Sequence, residues 1–338
     1  MSFELISVIK WGLLAALASL MISANNKNLL GSLSQNPSPI YTPDYYPNGT
    51  FLQLPLGTMR YWLFGNPEGE RVVLVHGISI PSPIYTKLAQ ELADQGHHVL
   101  VYDLWGRGYS DAPATDYNEA LYTNQLANLL QKVGWDKANI VGLSLGGGIV
   151  TSFTSYYPEM VKRLVLLAPA GLMEPEDVPL YGKIARLPIV RNIIIHPYFR
   201  PVALAAVEKF TRDARTSSTT SGQASDISVT VGNIAVYQFS NHPGFFRAFL
   251  GSVVDYPLAG LNERYAKVGT QSERPVLLVW GDKDITVYYS NAKTLVSLVP
   301  HAKLITLEGK AHDIVLTDWK RIATDVVDFI ANTKPYIQ

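Results

Sequence analysis

The sequence contains no cysteine. Disulfide bonds and thiolate chemistry are therefore excluded for this chain. An excess of one charge is also missing, because 28 basic residues balance 28 acidic ones and give a formal net charge of +0. Proteins that bind nucleic acid usually concentrate positive charge on one surface. This composition therefore predicts no nucleic-acid partner.

Several ligand-binding motifs are absent as well. The sequence has no His-Glu-x-x-His zinc motif, no P-loop and no Gly-x-Gly-x-x-Gly dinucleotide motif. Each of these motifs places backbone or side-chain groups around a metal or a phosphate. We therefore expect no metal site and no cofactor. With 338 residues, 47% of them hydrophobic, the chain is long enough to bury a full core.

One long apolar stretch lies at the N-terminus, from Ile6 to Ser23, and Lys10 is its only charged residue. Three interpretations remain open for residues 1–30: a signal peptide cleaved near Ala24, an uncleaved signal anchor, or a helix packed on the protein body. The first two predict a membrane-associated or secretory location, and the third allows a cytoplasmic one. Residues 31–50 are rich in proline and predict an extended linker.

Beyond the linker, short apolar runs rich in β-branched residues alternate with stretches whose apolar residues have helical spacing. Such runs are typical of strands buried on both faces of a parallel sheet. The alternation predicts an α/β fold, with a mostly parallel central sheet flanked by helices. The predicted strands are 71–78, 98–103, 139–143, 161–167, 275–280 and 303–307, and the predicted flanking helices are 85–95, 121–133, 149–157 and 314–330.

The motif Gly142-Leu143-Ser144-Leu145-Gly146 joins one of these strands to a helix. A serine on such a sharp turn exposes its hydroxyl, and glycine is needed on both sides because a β-carbon there would collide with neighbouring elements. The helix that follows directs free N–H groups toward an anion beside the serine. The pattern predicts that Ser144 attacks carbonyl carbons.

Four motifs in this order resemble the α/β-hydrolase fold family, specifically its serine-nucleophile, lipase/esterase-like group with a helical cap. They are Val75-His76-Gly77, the Asp-x-x-Gly-x-Gly-x-Ser run 103–110, the Ser144 motif, and a late acid and histidine in the runs 280–284 and 309–312. The similarity extends from about residue 51 to the last helix.

The resemblance implies a catalytic triad in the family's order of nucleophile, acid and histidine. Ser144 matches the nucleophile, Asp284 the acid and His312 the base, while Asp282 remains an alternative for the acid. Dehalogenases and soluble epoxide hydrolases of this fold carry aspartate at the nucleophile position, so the serine argues against those activities.

The resemblance also implies an oxyanion hole made by the backbone N–H groups of Ile78 and Leu145. Three further residues are assigned to the substrate pocket: His76, Ser79 and Trp105. His76 is expected to brace the oxyanion loop, and the Ser79 hydroxyl is a candidate third donor. Trp105 either lines the pocket or packs in the core. Asp103, Arg107 and Asp111 are expected to hold together the loop that follows the second predicted strand.

The implied domain layout is a hydrolase core in two parts, 51–170 and 262–338, with a helical cap inserted at 171–261. The cap sequence is rich in apolar and aromatic residues, which favours a lipophilic substrate. We expect a serine hydrolase that cleaves a lipophilic carboxylic ester, such as an acylglycerol, alkyl ester or lactone, through an acyl-enzyme. Two alternatives remain: a carbon–carbon bond hydrolase with the same triad, and a ligand-binding protein without turnover.

Overall fold

The computed structural model of the protein describes residues 29–174 and 226–331, together with residues 176, 184 and 187. The predicted N-terminal segment lies outside them except for its last two residues, and so does most of the first half of the predicted cap. Within the described residues, no helix is both long enough and apolar enough to span a bilayer.

An eight-stranded sheet forms the centre of the molecule, in the order β1-β2-β4-β3-β5-β6-β7-β8. Strands β1 and β2 are antiparallel to each other, β2 is antiparallel to β4, and all remaining pairs are parallel. The mostly parallel sheet predicted from the sequence is confirmed. Its strands are Gly49–Leu54 (β1), Gly57–Gly65 (β2), Arg71–Val75 (β3), His98–Tyr102 (β4), Ala138–Leu143 (β5), Val161–Leu167 (β6), Val276–Gly281 (β7) and Ala302–Leu307 (β8).

The inner strands are apolar along their whole length because both of their faces are covered. Every residue of β5 and β7 is buried, whereas β1 at the edge is mostly exposed. The helices that flank the sheet or belong to the predicted cap are Thr86–Asp94 (α1), Glu119–Lys132 (α2), Leu145–Tyr156 (α3), Asp226–Asn241 (α4), Phe245–Asp255 (α5), Asn262–Gly269 (α6), Asn291–Leu298 (α7), Ile314–Thr317 (α8) and Trp319–Ala331 (α9).

The last helix differs from the prediction, because the stretch 314–330 is interrupted at Asp318. The Asp318 carboxylate forms an ion pair with Lys310 Nζ (2.9 Å) and accepts a hydrogen bond from the Thr317 hydroxyl (2.8 Å). Both bonds join side chains, and the backbone of Asp318 itself leaves the helical conformation, with a φ of −125° and a ψ of 24°. The short helix α8 packs beside the histidine loop and contacts the predicted cap through α4.

Residues 31–48 pack on the fold, so the prediction of an extended linker was wrong for this segment. Leu33 and Tyr41 are fully buried. The Tyr41 hydroxyl donates to Asp103 Oδ2 (2.7 Å), and its carbonyl accepts from the Tyr109 hydroxyl (2.5 Å). We call this segment the N-terminal arm. Its prolines suit an extended path, but the tyrosines between them fasten that path to the loop after β4.

The described part of the predicted cap consists of α4 and α5, which lie over the loop 104–111. The apolar cap residues in the range 180–199, which favoured a lipophilic substrate, lie outside the described residues except for Ile184 and Leu187, whose side chains are exposed. The apolar faces of α4 and α5 instead cover the hydrolase core, with Val231, Ile234 and Ala248 buried there.

Candidate active site

Ser144 lies between the end of β5 and the start of α3, in a backbone conformation that L-amino acids rarely adopt. Its φ is +55° and its ψ is −119°, values that suit glycine better than residues with a side chain. The Ser144 N–H donates to the Leu167 carbonyl (3.0 Å), and the Ala170 N–H donates to the Ser144 carbonyl (2.9 Å). The neighbouring strand β6 and the chain just beyond it therefore hold the turn in place.

The two glycines of the Ser144 motif are required for the reason expected from the sequence. A β-carbon at Gly146 would lie 2.1 Å from the Val75 carbonyl oxygen, and one at Gly142 would lie 2.4 Å from the Gly146 carbonyl oxygen. Both distances are far below van der Waals contact. Helix α3 can therefore approach β3 and β5 closely enough for its first turn to face the end of the sheet.

Asp284 and His312 lie at the same edge of the sheet, after β7 and β8. His312 Nδ1 is 2.7 Å from Asp284 Oδ2. The other carboxylate oxygen, Oδ1, accepts from the N–H groups of Thr286 and Val287, both at 2.9 Å. The Asp284 side chain is completely buried, whereas 24% of the His312 side chain is exposed. A buried carboxylate therefore orients a histidine whose ring is partly open to solvent.

The alternative acid, Asp282, has a different role in the structure. Its Oδ1 accepts from the Gly309 N–H (2.6 Å), and its Oδ2 lies 3.6 Å from Lys283 Nζ. It therefore joins the turn after β7 to the turn before His312. Of the two carboxylates, only Asp284 is bonded to the imidazole. Among the described residues, the Ser144 hydroxyl has no hydrogen bond to His312, a separation that is common for such groups before a substrate binds.

The loop Gly77–Ser79, which we call the oxyanion loop, lies directly against Ser144. A β-carbon built on Gly77 would be 3.8 Å from Ser144 Oγ. Among the described residues, the N–H groups of Ile78 and Leu145 have no hydrogen-bond acceptor. Both groups are therefore available to an anion, as the predicted oxyanion hole requires. Among the described residues, the Ser79 hydroxyl likewise has no hydrogen-bond partner, while the Ser79 carbonyl accepts from Gln238 Nε2 (2.9 Å).

His76 is fully buried and both of its ring nitrogens are occupied. The Leu104 N–H donates to Nε2 (2.9 Å), so Nδ1 carries the proton and donates to the Gly77 carbonyl (2.8 Å). Burial lowers the pKa of His76 to about 3. A neutral ring with both nitrogens engaged braces the loop but offers no polar group to a substrate, so it matches the bracing role and not the pocket role.

Trp105 is also buried, with 2% of its surface exposed, and belongs to the hydrophobic core. The backbone N–H of Trp105 donates to Gln125 Oε1 (3.0 Å). Of the two roles considered for Trp105, the structure therefore places it in packing.

The loop 104–111 contains the polar network expected for Asp103, but Arg107 reaches further than the sequence suggested. Asp103 accepts from Tyr41, Ser82 and Tyr109, and burial raises its pKa to about 6. Arg107 is fully buried and donates to the Ile78 carbonyl (3.2 Å). It also donates to Ser252 Oγ on α5 (2.7 Å).

Gln238 on α4 is a site residue that sequence reasoning missed. Its side chain is fully buried between the oxyanion loop and Gly108. One signal was available, because Val231, Ile234, Ala235, Gln238 and Phe239 form one helical stripe. An amide on an otherwise apolar stripe has to find partners when the stripe is buried.

Comparison with known proteins agrees with this architecture. Residues 70–188 match a family model described as alpha/beta hydrolase fold. Over 269 residues the chain is 26% identical to Lipase 1 of Psychrobacter immobilis, and the match covers 75% of this chain and 74% of the lipase. Over 270 residues it is 24% identical to 2-hydroxymuconate semialdehyde hydrolase of Pseudomonas putida, covering 78% and 88% of the two chains.

The fold also matches the crystal structure of the esterase RhEst1 from Rhodococcus sp. ECU1013. The TM-score is 0.63 at 20% sequence identity, over 85% of this chain and all of the esterase. A likeness at this identity concerns the fold alone. Together with the sheet order, the Ser144 turn and the family model over residues 70–188, it leads to one conclusion: the chain has the α/β-hydrolase fold.

Proposed function

We propose that this protein is a serine hydrolase that cleaves carboxylic esters through an acyl-enzyme on Ser144. The observation that carries the proposal is the Asp284–His312 hydrogen bond of 2.7 Å at the same edge of the sheet as the Ser144 turn. Serine is a weak nucleophile near neutral pH and needs a base to remove its proton. An imidazole oriented by a buried carboxylate can supply that base.

The proton positions follow from the hydrogen bonds. Because His312 Nδ1 faces Asp284, the ring carries its proton there and leaves Nε2 free to accept one. As Ser144 Oγ bonds to the ester carbon, its proton moves to Nε2, and the negative charge on the carbonyl oxygen falls between the N–H groups of Ile78 and Leu145. The proton then passes to the alkoxide as the carbon–oxygen bond breaks, and water repeats the sequence on the acyl-enzyme.

A lipophilic acyl or alkyl group is the proposed substrate class. The similarity to Lipase 1 and the apolar sequence of the cap support it. The test is hydrolysis of p-nitrophenyl esters with acyl chains from acetate to palmitate, with Ser144→Ala as the control. We expect the highest kcat/KM for medium or long chains and none with Ser144→Ala. A preference for acetate would overturn the lipophilic assignment, and unchanged hydrolysis by Ser144→Ala would overturn the ester mechanism.

Carbon–carbon bond hydrolysis is the second candidate, supported by the similarity to 2-hydroxymuconate semialdehyde hydrolase. The same triad would then cleave a bond next to a carbonyl group. Mass analysis of the products from a vinylogous 1,3-diketone and from a matched ester separates the two activities. Products of the diketone alone would favour the second candidate, and products of the ester alone would favour the first.

For the N-terminal segment we propose membrane association. Its support is the apolar sequence from Ile6 to Ser23. Sedimentation with liposomes of the full chain, compared with a chain that begins at Asn26, tests the proposal. Equal recovery of both forms with the liposomes would contradict it, and cleavage near Ala24 in the producing cell would favour export instead.

A further inference from the structure

Three successive carbonyl groups of the oxyanion loop each accept a hydrogen bond from a different buried side chain. The Gly77 carbonyl accepts from His76 Nδ1 (2.8 Å), the Ile78 carbonyl from Arg107 Nε (3.2 Å) and the Ser79 carbonyl from Gln238 Nε2 (2.9 Å). All three donors belong to residues with 0% exposed surface. The loop belongs to no helix or strand, but each of its three carbonyl groups is fixed by a hydrogen bond from a buried side chain.

These bonds determine where the loop's N–H groups point. A peptide unit is planar, and in the trans form its C=O and N–H point in opposite directions. The unit with the Gly77 carbonyl carries the Ile78 N–H, and the unit with the Ile78 carbonyl carries the Ser79 N–H. The unit with the Ser79 carbonyl carries the Ile80 N–H. His76 therefore fixes the unit that carries the predicted oxyanion donor, the Ile78 N–H, whereas Arg107 and Gln238 fix the two units that follow it.

Two of the three donors connect the oxyanion loop to the cap helices α4 and α5. Gln238 lies on α4, 159 residues further along the chain than Ser79. Arg107 lies in the loop 104–111, but its guanidinium also donates to the Ala248 carbonyl (3.4 Å) and to Ser252 Oγ (2.7 Å) on α5. Each of the two helices is therefore linked to the oxyanion loop by one buried polar side chain: α4 by Gln238, and α5 by Arg107.

The amide of Gln238 can adopt only one orientation. Its Oε1 accepts from the Gly108 N–H (2.7 Å), and its Nε2 donates to the Ser79 carbonyl. A flipped amide would set oxygen against a carbonyl oxygen and nitrogen against an N–H. Because both ends are matched, rotation of the side chain cannot release the loop while α4 stays in place.

We propose that Gln238 and Arg107 are positioning residues for acyl transfer, through which α4 and α5 hold in place the oxyanion loop that carries the Ile78 N–H. This inference rests on the proposed function, because it concerns the anion formed during attack by Ser144. It adds that α4 and α5 keep the predicted oxyanion hole in position. Displacement of α4 or α5 would then lower the rate of acyl transfer even with the triad intact.

The test compares Gln238→Met with Tyr237→Phe, its neighbour on the same helix. Methionine keeps the length of the side chain but cannot donate to Ser79. Tyr237→Phe removes one hydrogen bond from α4 to the arm, to the Pro37 carbonyl (2.9 Å), and none to the oxyanion loop. Removal of an oxyanion donor costs about 10²- to 10³-fold in kcat. Gln238→Met loosens the loop but keeps the bonds to the Gly77 and Ile78 carbonyls, so its effect should be smaller than this. We expect kcat to fall about 10-fold in Gln238→Met and less than about twofold in Tyr237→Phe.

A transition-state analogue separates positioning from general damage. A trifluoromethyl ketone adds to Ser144 Oγ and places an oxyanion in the hole, while the corresponding alcohol binds without one. For Gln238→Met we expect the affinity for the ketone to fall by the same factor as kcat/KM. The KM and the affinity for the alcohol should stay within about threefold of wild type. Equal loss of affinity for both compounds would indicate a disordered pocket and overturn the proposal.

Gln238→Glu gives an independent readout that a folding defect would not produce. Glutamate keeps an acceptor for the Gly108 N–H, but as a carboxylate it cannot donate to Ser79, whereas the protonated acid can. The ratio of its kcat to that of wild type should therefore rise as pH falls, while the ratio for Gln238→Met stays flat.

A flat ratio for Gln238→Glu, or wild-type kcat in Gln238→Met, overturns the positioning role alone. Wild-type protein without ester hydrolysis overturns the proposed function, and the positioning role with it.

Discussion

The two halves of the candidate site are held in place in different ways. The acid–histidine half is local: Asp284 bonds to N–H groups two and three residues ahead, and its partner His312 is 28 residues away. The oxyanion half depends on residues far apart in the chain, since Gln238 and Ser79 are separated by 159 residues. A turn motif can build the first half, whereas the Gln238–Ser79 bond of the second half forms only when α4 packs on the core.

This difference predicts that the local half can lose its chemistry without losing its structure. Asp284→Asn should keep the fold, because asparagine can still accept from the N–H groups of Thr286 and Val287. The amide can no longer stabilise a charged His312, so we expect kcat to fall about 10⁴-fold.

The matched control is Asp282→Asn, whose side chain can still accept from the Gly309 N–H. Ester hydrolysis by both variants measures the effect, and we expect the control to remain within about threefold of wild type. Equal losses in the two variants would mean that the buried acid is not assigned correctly.

The long-range half should reveal itself in the pH dependence of stability, through His76. Burial lowers its pKa in the folded protein from 6.5 to about 3. Between these values the unfolded chain binds a proton that the folded chain does not. The contribution of His76 to the free energy of unfolding should therefore fall as pH drops below 6.5, by up to about 1.4 kcal/mol per pH unit.

His76→Asn removes this contribution, so the free energy of unfolding of wild type minus that of the variant should fall as pH drops below 6.5. Asp103, whose pKa is raised to about 6, acts in the opposite direction between pH 6 and 3.8 and is common to both proteins. Urea unfolding of both at pH 6.5, 5.5 and 4.5 measures the difference. Parallel curves would show that His76 is not buried as a neutral ring.

The smallest expected effect concerns the strained turn that joins the two halves. Ser144 has a φ of +55°, which costs an L-residue about 1 kcal/mol or more but is open to glycine. Both Ser144→Gly and Ser144→Ala should be inactive. In thermal or urea unfolding, the Ser144→Gly variant should be more stable than the Ser144→Ala variant by about 1 kcal/mol. The opposite order would argue against the turn geometry.

The same contrast explains what the sequence could predict. Buried parallel strands are apolar on both faces, so β3 to β7 could be read from short runs, and Asp284 and His312 follow turns with recognisable spacing. The start of α3 was predicted four residues late, because the glycines after Ser144 have low helix propensity. Close packing explains the glycines, because a β-carbon at Gly146 would collide with β3 and one at Gly147 would collide with Pro169.

What could not be predicted depends on distant contacts. The arm appeared to be a linker because its prolines are visible in the sequence, whereas the partner of Tyr41, Asp103, lies 62 residues further along the chain. Gln238 could be recognised only as a polar residue on an apolar stripe, since its partners Ser79 and Gly108 follow from the packing of α4 on the core.

Labelling with a fluorophosphonate probe tests the central claim most directly, because the probe bonds only to a serine whose proton can be removed by a nearby base. The account predicts one adduct, mapped by mass spectrometry to the peptide that contains Ser144. The adduct should be absent in Ser144→Ala, and its formation should be at least about 10³-fold slower in His312→Ala. An unlabelled wild-type protein, or an adduct that persists in Ser144→Ala, would contradict it.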